Sequence, residues 1–299
     1  MSDQGKQGVK RSRKGEPKVP VNENSPVIKA FRVYQSELDA RHDKHERLVK
    51  VSRDITIDSK RTIFLLQRVA GSDSECAVLE EASEKLKQIQ NTKFSLIAKE
   101  LQDEDPYRFI RAYSPGLQEY IEAVSFFNYI KCKELVSLDT IQQDLIFPEN
   151  IDIGQTYDPK NQAEMVESQA SSTAVNQSEQ KGTIEVHVPP IEYMLGVADL
   201  TGELMRLAIN SVGAGNLDIP FEVCTFLRKM QLGFQSFSYV SREVKKKLHT
   251  LNQSLQKVET ACYTLQVRGS EIPKHMLVDV LSSPMREIHM YTDDQSMDE

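Results

Sequence analysis

Apolar residues recur every three to four positions along most of the chain, the repeat of a helix that buries one face. The first series begins after Ser25-Pro26 and closes at Gly71, with a start and a stop typical of helix ends. Its apolar positions are Val27, Phe31, Tyr34, Leu38, Leu48, Val51, Ile55, Leu65, Leu66 and Val69. The pattern predicts a long first helix.

A charged stretch, residues 41–47, interrupts this apolar series and contains His42 and His45 among acidic and basic neighbours. The spacing of histidines and carboxylates is compatible with a metal site. The same composition is that of the solvated face of a long helix, and this second interpretation is favoured.

Several further helices are predicted downstream. The second runs from Leu79 to Leu101, and the third begins near Asp105-Pro106 and runs toward Leu135. We expect Pro115 and Gly116 to kink or break the third helix. A later helix spans residues 191–212 and ends at Gly213 and Gly215, and a shorter one follows Pro220. A brief alternation at 183–188 is the one extended segment expected, so the fold class is all-α, a bundle of long helices.

The last apolar series alternates strictly by four and three residues from Val244 to Leu265. Such a narrow seam is typical of helices that pair in a coiled coil, although packing into the chain's own core would use the same positions. Assembly with another subunit through this seam is the favoured interpretation.

Composition divides the chain into a folded part and polar segments. Residues 1–24 are predicted to be a disordered basic tail in which residues 10–14 resemble a nuclear-import signal. Residues 25–280 form the expected helical domain, interrupted at 148–182 by a polar insertion without periodicity, and 281–299 form an acidic tail. The short basic cluster suggests both cytoplasmic and nuclear residence.

Charge and cysteine content narrow the function classes. The net charge of -7 excludes a uniformly basic nucleic-acid binder, but it leaves room for a local basic patch. The four cysteines are widely spaced, which argues against a zinc knuckle or a disulfide framework and favours reduced, mostly buried thiols in an intracellular protein. No stretch is apolar enough for a membrane span.

Residues 191–210 combine an apolar helix with a narrow polar stripe. On a helical wheel the stripe occupies about 80°. Its members are Glu192, Gly196, Asp199, Glu203, Arg206 and Asn210. Isolated carboxylates on so apolar a helix are costly unless they are paired or bind a cation. The stripe is therefore expected to face solvent, a polar cavity or a cation.

A second acid pair, Glu119 and Glu122, lies on the third helix beside an apolar packing face. Carboxylates from two facing helices can bind a hard divalent ion, and oxygen ligands favour Mg²⁺ or Mn²⁺ over zinc. Such a site suits phosphodiester hydrolysis. Spacing alone still favours ordinary solvated helix faces, because acid pairs of this kind are common.

Four segments resemble the translin-associated factor X (Trax) proteins of the translin family, over about residues 25–280. They are ELDARHDK (37–44), GLQEYIEAVSF (116–126), GVADLTGELMR (196–206) and VRGSEIPKHML (267–277). The resemblance implies an all-helical translin fold that assembles with translin subunits into a hollow hetero-oligomer. It also implies a magnesium-dependent endoribonuclease that cuts single-stranded RNA and promotes activation of the RNA-induced silencing complex by removing the passenger strand.

Family resemblance assigns catalysis and metal binding to four acids, all present in this chain: Glu119, Glu122, Asp199 and Glu203. A Tyr-Arg-Phe stretch like that of translin precedes the first pair, which makes Arg108 and Arg111 candidate RNA contacts on the same helix. The alternative function is a non-enzymatic adaptor that stabilises and localises translin and binds signalling or DNA-repair proteins.

Overall fold

The computed structural model describes residues 25–71, 74–149, 182–237, 239 and 241–268. The elements in chain order are α1 (Pro26–Leu66), α2 (Glu75–Ile89), α3 (Ser95–Leu101), α4 (Ile110–Cys132), α5 (Leu138–Asp144), β1 (Ile146–Pro148), β2 (Thr183–Glu185), α6 (Pro190–Gly213), α7 (Ile219–Gln235) and α8 (Arg242–Arg268). The predicted all-α class is confirmed. The predicted tails, 1–24 and 281–299, lie outside the described residues.

The chain divides into two compact units, one that ends at Lys44 and one that begins at His45. In the first unit α1 is exposed, including the apolar positions Val27, Phe31, Tyr34 and Leu38, which the periodicity had placed on a buried face. Residues 41–43 are likewise exposed.

In the second unit α1 becomes a core helix from Leu48 onward. It ends at Leu66 and passes through a 3₁₀ turn, Gln67–Gly71, so the predicted glycine stop is confirmed. The predicted second helix is confirmed as α2 and α3, joined by a short π-helical segment, Gln90–Phe94.

The third predicted helix is corrected at its start, and the break expected at Pro115 and Gly116 does not occur. α4 begins at Ile110 rather than near Asp105, and it continues through Pro115 without breaking. Proline removes one helical N–H, but the backbone around it finds other partners. The hydroxyl of Ser52 on α1 accepts from the Gly116 amide at 3.0 Å and donates to the Tyr113 carbonyl at 3.3 Å.

A small antiparallel ribbon forms where one strand was expected. β2 lies within the predicted extended segment, and β1 was missed. Phe147 pairs with Ile184 in register, and both are buried. The ribbon flanks the predicted insertion 148–182, whose residues 150–181 lie outside the described part of the chain.

α6 is the central helix of the second unit, since it packs against α4, α7 and α8. The apolar seam of α8 is buried in this packing, and its last member, Leu265, packs with Val212 and Leu217. The prediction that this seam pairs with another subunit is therefore wrong; the alternative, core packing within the chain, is the one observed.

The cysteines divide evenly between core and surface. Cys224 and Cys262 are buried, whereas Cys76 and Cys132 are exposed, and all four are free thiols. Reduced thiols fit the prediction, but only half of them lie in the core. Among the described helices, none has the length and apolarity needed to cross a membrane.

Candidate functional site

The site begins with a close approach between α4 and α6. Gly196 of α6 lies so near α4 that a Cβ placed on it would sit 2.7 Å from the Gln118 carbonyl oxygen and 2.8 Å from the Ile121 Cβ. Only glycine fits at such a separation. Asp199 and Glu203 follow Gly196 by three and seven residues, on the same helix face, so this contact brings them to α4.

The four predicted acids line one cavity of about 510 Å³. Glu119 and Glu122 come from α4, and Asp199 and Glu203 come from α6. The apolar neighbours Leu117, Ile121 and Val124 are buried as predicted. Two helices that are mostly apolar thus direct their acids into a shared polar space rather than toward open solvent.

Three of the acids have a basic or amide partner. Lys60 Nζ lies 3.5 Å from Glu119 Oε2, and Lys247 Nζ donates to Asp199 Oδ1. Glu203 accepts from Gln67 Nε2 at 2.8 Å and lies 3.2 Å from an Arg206 guanidinium nitrogen. Each negative charge is therefore partly balanced by a side chain that a stronger cation could displace.

Glu122 is the most perturbed of the acids. Burial, followed by the nearby charges of Glu119, Asp199 and Glu203, raises its pKa to about 8, against a smaller opposing effect of Lys247. Burial also raises the pKa of Glu119, which Lys60 partly offsets. The crowding of four carboxyl groups thus disfavours the charged form of Glu122, and perturbed carboxyls in a cleft are typical of functional sites.

A divalent cation fits the chemistry of this donor set, because its four carboxyl groups offer only oxygen ligands and a bound cation would relieve their mutual repulsion. As the side chains stand, no three acidic, histidine or cysteine groups of the described residues converge closely enough to hold a metal ion. The carboxylates point instead to Lys60, Lys247, Gln67 and Arg206, so binding requires them to turn from these partners.

Glu192, the first member of the polar stripe, does not join the cavity. Its Oε2 accepts from Ser114 Oγ and from Gln118 Nε2, each at 2.5 Å. These bonds link the start of α6 to α4 one turn before Gly196. Glu192 therefore holds the two helices together rather than contributing a ligand.

The two predicted arginines lie away from the acid cavity. Arg108 precedes α4, so the expectation that it shares a helix with the acids is wrong, and its guanidinium donates to Glu104 at 2.9 Å. Arg111 is exposed in the first turn of α4, about 16 Å along the helix axis from Glu122. Their role in RNA binding stays a prediction.

Sequence reasoning missed the residues that α1, the 3₁₀ turn after it and α8 contribute. Lys60, Phe64 and Gln67 lie on one face, spaced by four and three residues, and Lys247 comes from the polar side of α8. The spacing of Lys60, Phe64 and Gln67 shows that they share a face, but the spacing alone does not show that this face lies against the acids.

Comparison with known proteins gives this geometry a context. A family model described as Translin family matches residues 43–269. Translin-associated protein X of Pongo abelii is 51% identical over 266 residues, which cover 88% of this chain and 86% of that protein. Translin of Homo sapiens is 25% identical over 246 residues, which cover 81% and 94%.

A solved structure has the same fold. The complex of AfC3PO with duplex RNA superposes with a TM-score of 0.55 at 17% identity, and the match covers 81% of this chain and 100% of that one. The family match spans most of the chain and the identity to a translin-associated protein X exceeds half, so this chain belongs to the translin family.

Proposed function

We propose that this chain is the catalytic subunit of a magnesium-dependent endoribonuclease that assembles with translin and cuts single-stranded RNA. The observation that carries the proposal is the convergence of Glu119, Glu122, Asp199 and Glu203 on one cavity, from two helices that a glycine contact holds together. The likeness to a translin-associated protein supports the partner, and the AfC3PO structure, which contains duplex RNA, supports a nucleic-acid ligand.

Those four acids would hold Mg²⁺, with Mn²⁺ as a substitute. When bound, the ion would activate a water and screen charge on the scissile phosphate. The chain's own cations have a separate task. Lys60 and Arg206 line the same cavity, with side chains more than half exposed, and could contact phosphate oxygens once the acids bind the metal.

RNA affinity would belong to the assembly rather than to this chain alone. With a net charge of -7 the chain lacks a broad positive field, so translin would supply most of the basic surface. Promotion of silencing-complex activation, contact with components of that complex, and residence in both nucleus and cytoplasm are parts of the same proposal. The basic residues 10–14 that suggest nuclear import lie outside the described residues.

The test is cleavage of a labelled single-stranded RNA by the co-expressed complex, in Mg²⁺ and in EDTA. Glu203→Gln should abolish cleavage while helicity and assembly persist, since it removes charge and little volume. Glu80→Gln, at an exposed acid of α2, is the matched control. Full activity of the Glu203 variant would support the adaptor function instead, because an adaptor has no need of the four charges.

A further inference from the structure

Phe64 exposes its ring at the cavity that holds the acids. The residue is 70% exposed, although the preceding residue, Ile63, is only 5% exposed and belongs to the core. Both line the acid cavity. Phe64 also follows Lys60 by one helical turn, so an apolar ring and an ammonium group project from the same face of α1 into the same space.

The side chains around the cavity set two requirements for a ligand that binds there. It must carry negative charge or bring a cation, because Lys60 and Arg206 are interleaved with the four acids. It must also offer a flat apolar surface to the ring of Phe64. A single apolar side chain of a partner protein meets only the second requirement, whereas each nucleotide of a single-stranded nucleic acid meets both, with its phosphate and its unpaired base.

We propose that Phe64 is a stacking platform for one nucleobase of single-stranded RNA, beside the phosphate that Lys60 contacts. The inference rests on the proposed function and adds a binding residue to it. Stacking tolerates any base, since every base has a π-face, so Phe64 would hold RNA in register without reading its sequence. In a duplex both faces of each base are covered, so Phe64 would favour single strands.

The experiment measures RNA binding without cleavage. A single-stranded RNA labelled with 2-aminopurine is titrated with the full chain in complex with translin, in Ca²⁺, which takes oxygen ligands in place of Mg²⁺. Gel electrophoresis of the RNA after the titration checks that it stays intact. Phe64→Ala should weaken binding by roughly 5- to 150-fold, the loss typical of one stacked base. Phe64→Trp should retain binding, whereas Phe64→Leu, which is apolar but not aromatic, should not. Leu232→Ala is the control, because Leu232 is 65% exposed on α7 and lies outside the cavity.

An RNA with one abasic ribose identifies the stacked base. If the abasic position is the one that stacks on Phe64, this RNA should bind the wild-type complex as weakly as intact RNA binds the Phe64→Ala complex. The abasic RNA and the Phe64→Ala complex together should lose no more affinity than either change alone. Additive losses at every abasic position would overturn the inference.

The remaining outcomes separate this inference from the proposed function. Normal RNA binding by the Phe64→Ala complex, when the wild type cleaves RNA, overturns stacking and leaves the function intact. Loss of translin from the Phe64→Ala complex in size-exclusion chromatography shows a protein contact at the ring and likewise overturns stacking. A wild-type complex that neither binds nor cuts RNA overturns both.

Discussion

Gly196 of α6 lies directly against Gln118 of α4: a Cβ on Gly196 would lie 2.7 Å from the Gln118 carbonyl oxygen. Gly196→Ala should push α6 away from α4 and lower the free energy of unfolding by about 1–3 kcal/mol, the usual cost of overpacking. Chemical denaturation of the complex measures this effect.

Gly202 supplies the control on the same helix. A Cβ there meets nothing within 4 Å, so Gly202→Ala should stabilise the helix by about 0.5–1 kcal/mol through its better helix propensity. Equal effects of the two substitutions would show that the close contact at Gly196 has no energetic consequence.

Glu122 makes stability depend on pH. Its pKa is about 8 in the folded chain, against 4.5 for an ordinary glutamate, so the folded state binds its proton more tightly than the unfolded state does. The contribution of Glu122 to the free energy of unfolding is therefore fully present below about pH 4.5 and is lost as the pH rises through about 8. Glu122→Gln should remove this pH-dependent loss, so the free energy of unfolding of the variant should exceed that of wild type by about 1–3 kcal/mol at about pH 9.

Denaturation of both proteins in EDTA at about pH 5 and about pH 9 measures this difference. Glu80→Gln, at an exposed acid outside the cavity, should follow wild type at both pH values. A Glu122 variant whose stability stays parallel to wild type across that range would refute the burial and charge crowding assigned to this carboxyl.

Lys247 would compete with the proposed metal ion for Asp199, since its ammonium donates to that carboxylate. Lys247→Met frees the carboxylate and removes a positive charge, so Mn²⁺ should bind more tightly by roughly two- to fivefold, the range of a partly exposed ion pair. Isothermal titration measures the affinity. Lys246→Met removes an adjacent exposed charge and should change it little; weaker Mn²⁺ binding after Lys247→Met would instead indicate that Lys247 orders the site.

Arg108 and Arg111 test where the RNA backbone lies. Replacing both with alanine should weaken RNA binding by the complex and reduce the log-log salt slope by roughly 0.7 for each single-strand phosphate that is no longer neutralised. Lys229→Ala, an exposed cation on α7, should leave the slope unchanged. An unaltered slope in the double variant would remove both arginines from the RNA path and leave RNA binding to translin and the acid cavity.

Features that depend on residues close together in the sequence could be predicted from the sequence. The Ser25-Pro26 start of α1 and the acid spacing of α6 were predictable from helix geometry and end preferences alone. The convergence of the four acids came from family resemblance, because spacing within each helix leaves the partner helix undetermined.

Features that depend on tertiary packing could not be predicted. The seam from Val244 to Leu265 has the same spacing whether it packs on α6 and α7 or on another chain. β1 is only three residues long and ends in proline, so it exists because β2 pairs with it. Lys60 and Phe64 become site residues only when α1 lies beside the acids.

The most direct test of metal binding by the four acids is anomalous scattering from a crystal of the translin complex grown in Mn²⁺. We expect a Mn²⁺ peak bound by carboxylates from both α4 and α6, drawn from Glu119, Glu122, Asp199 and Glu203, with Lys247 displaced from Asp199. An absence of Mn²⁺ among these four acids, at a concentration that supports RNA cleavage, would contradict it.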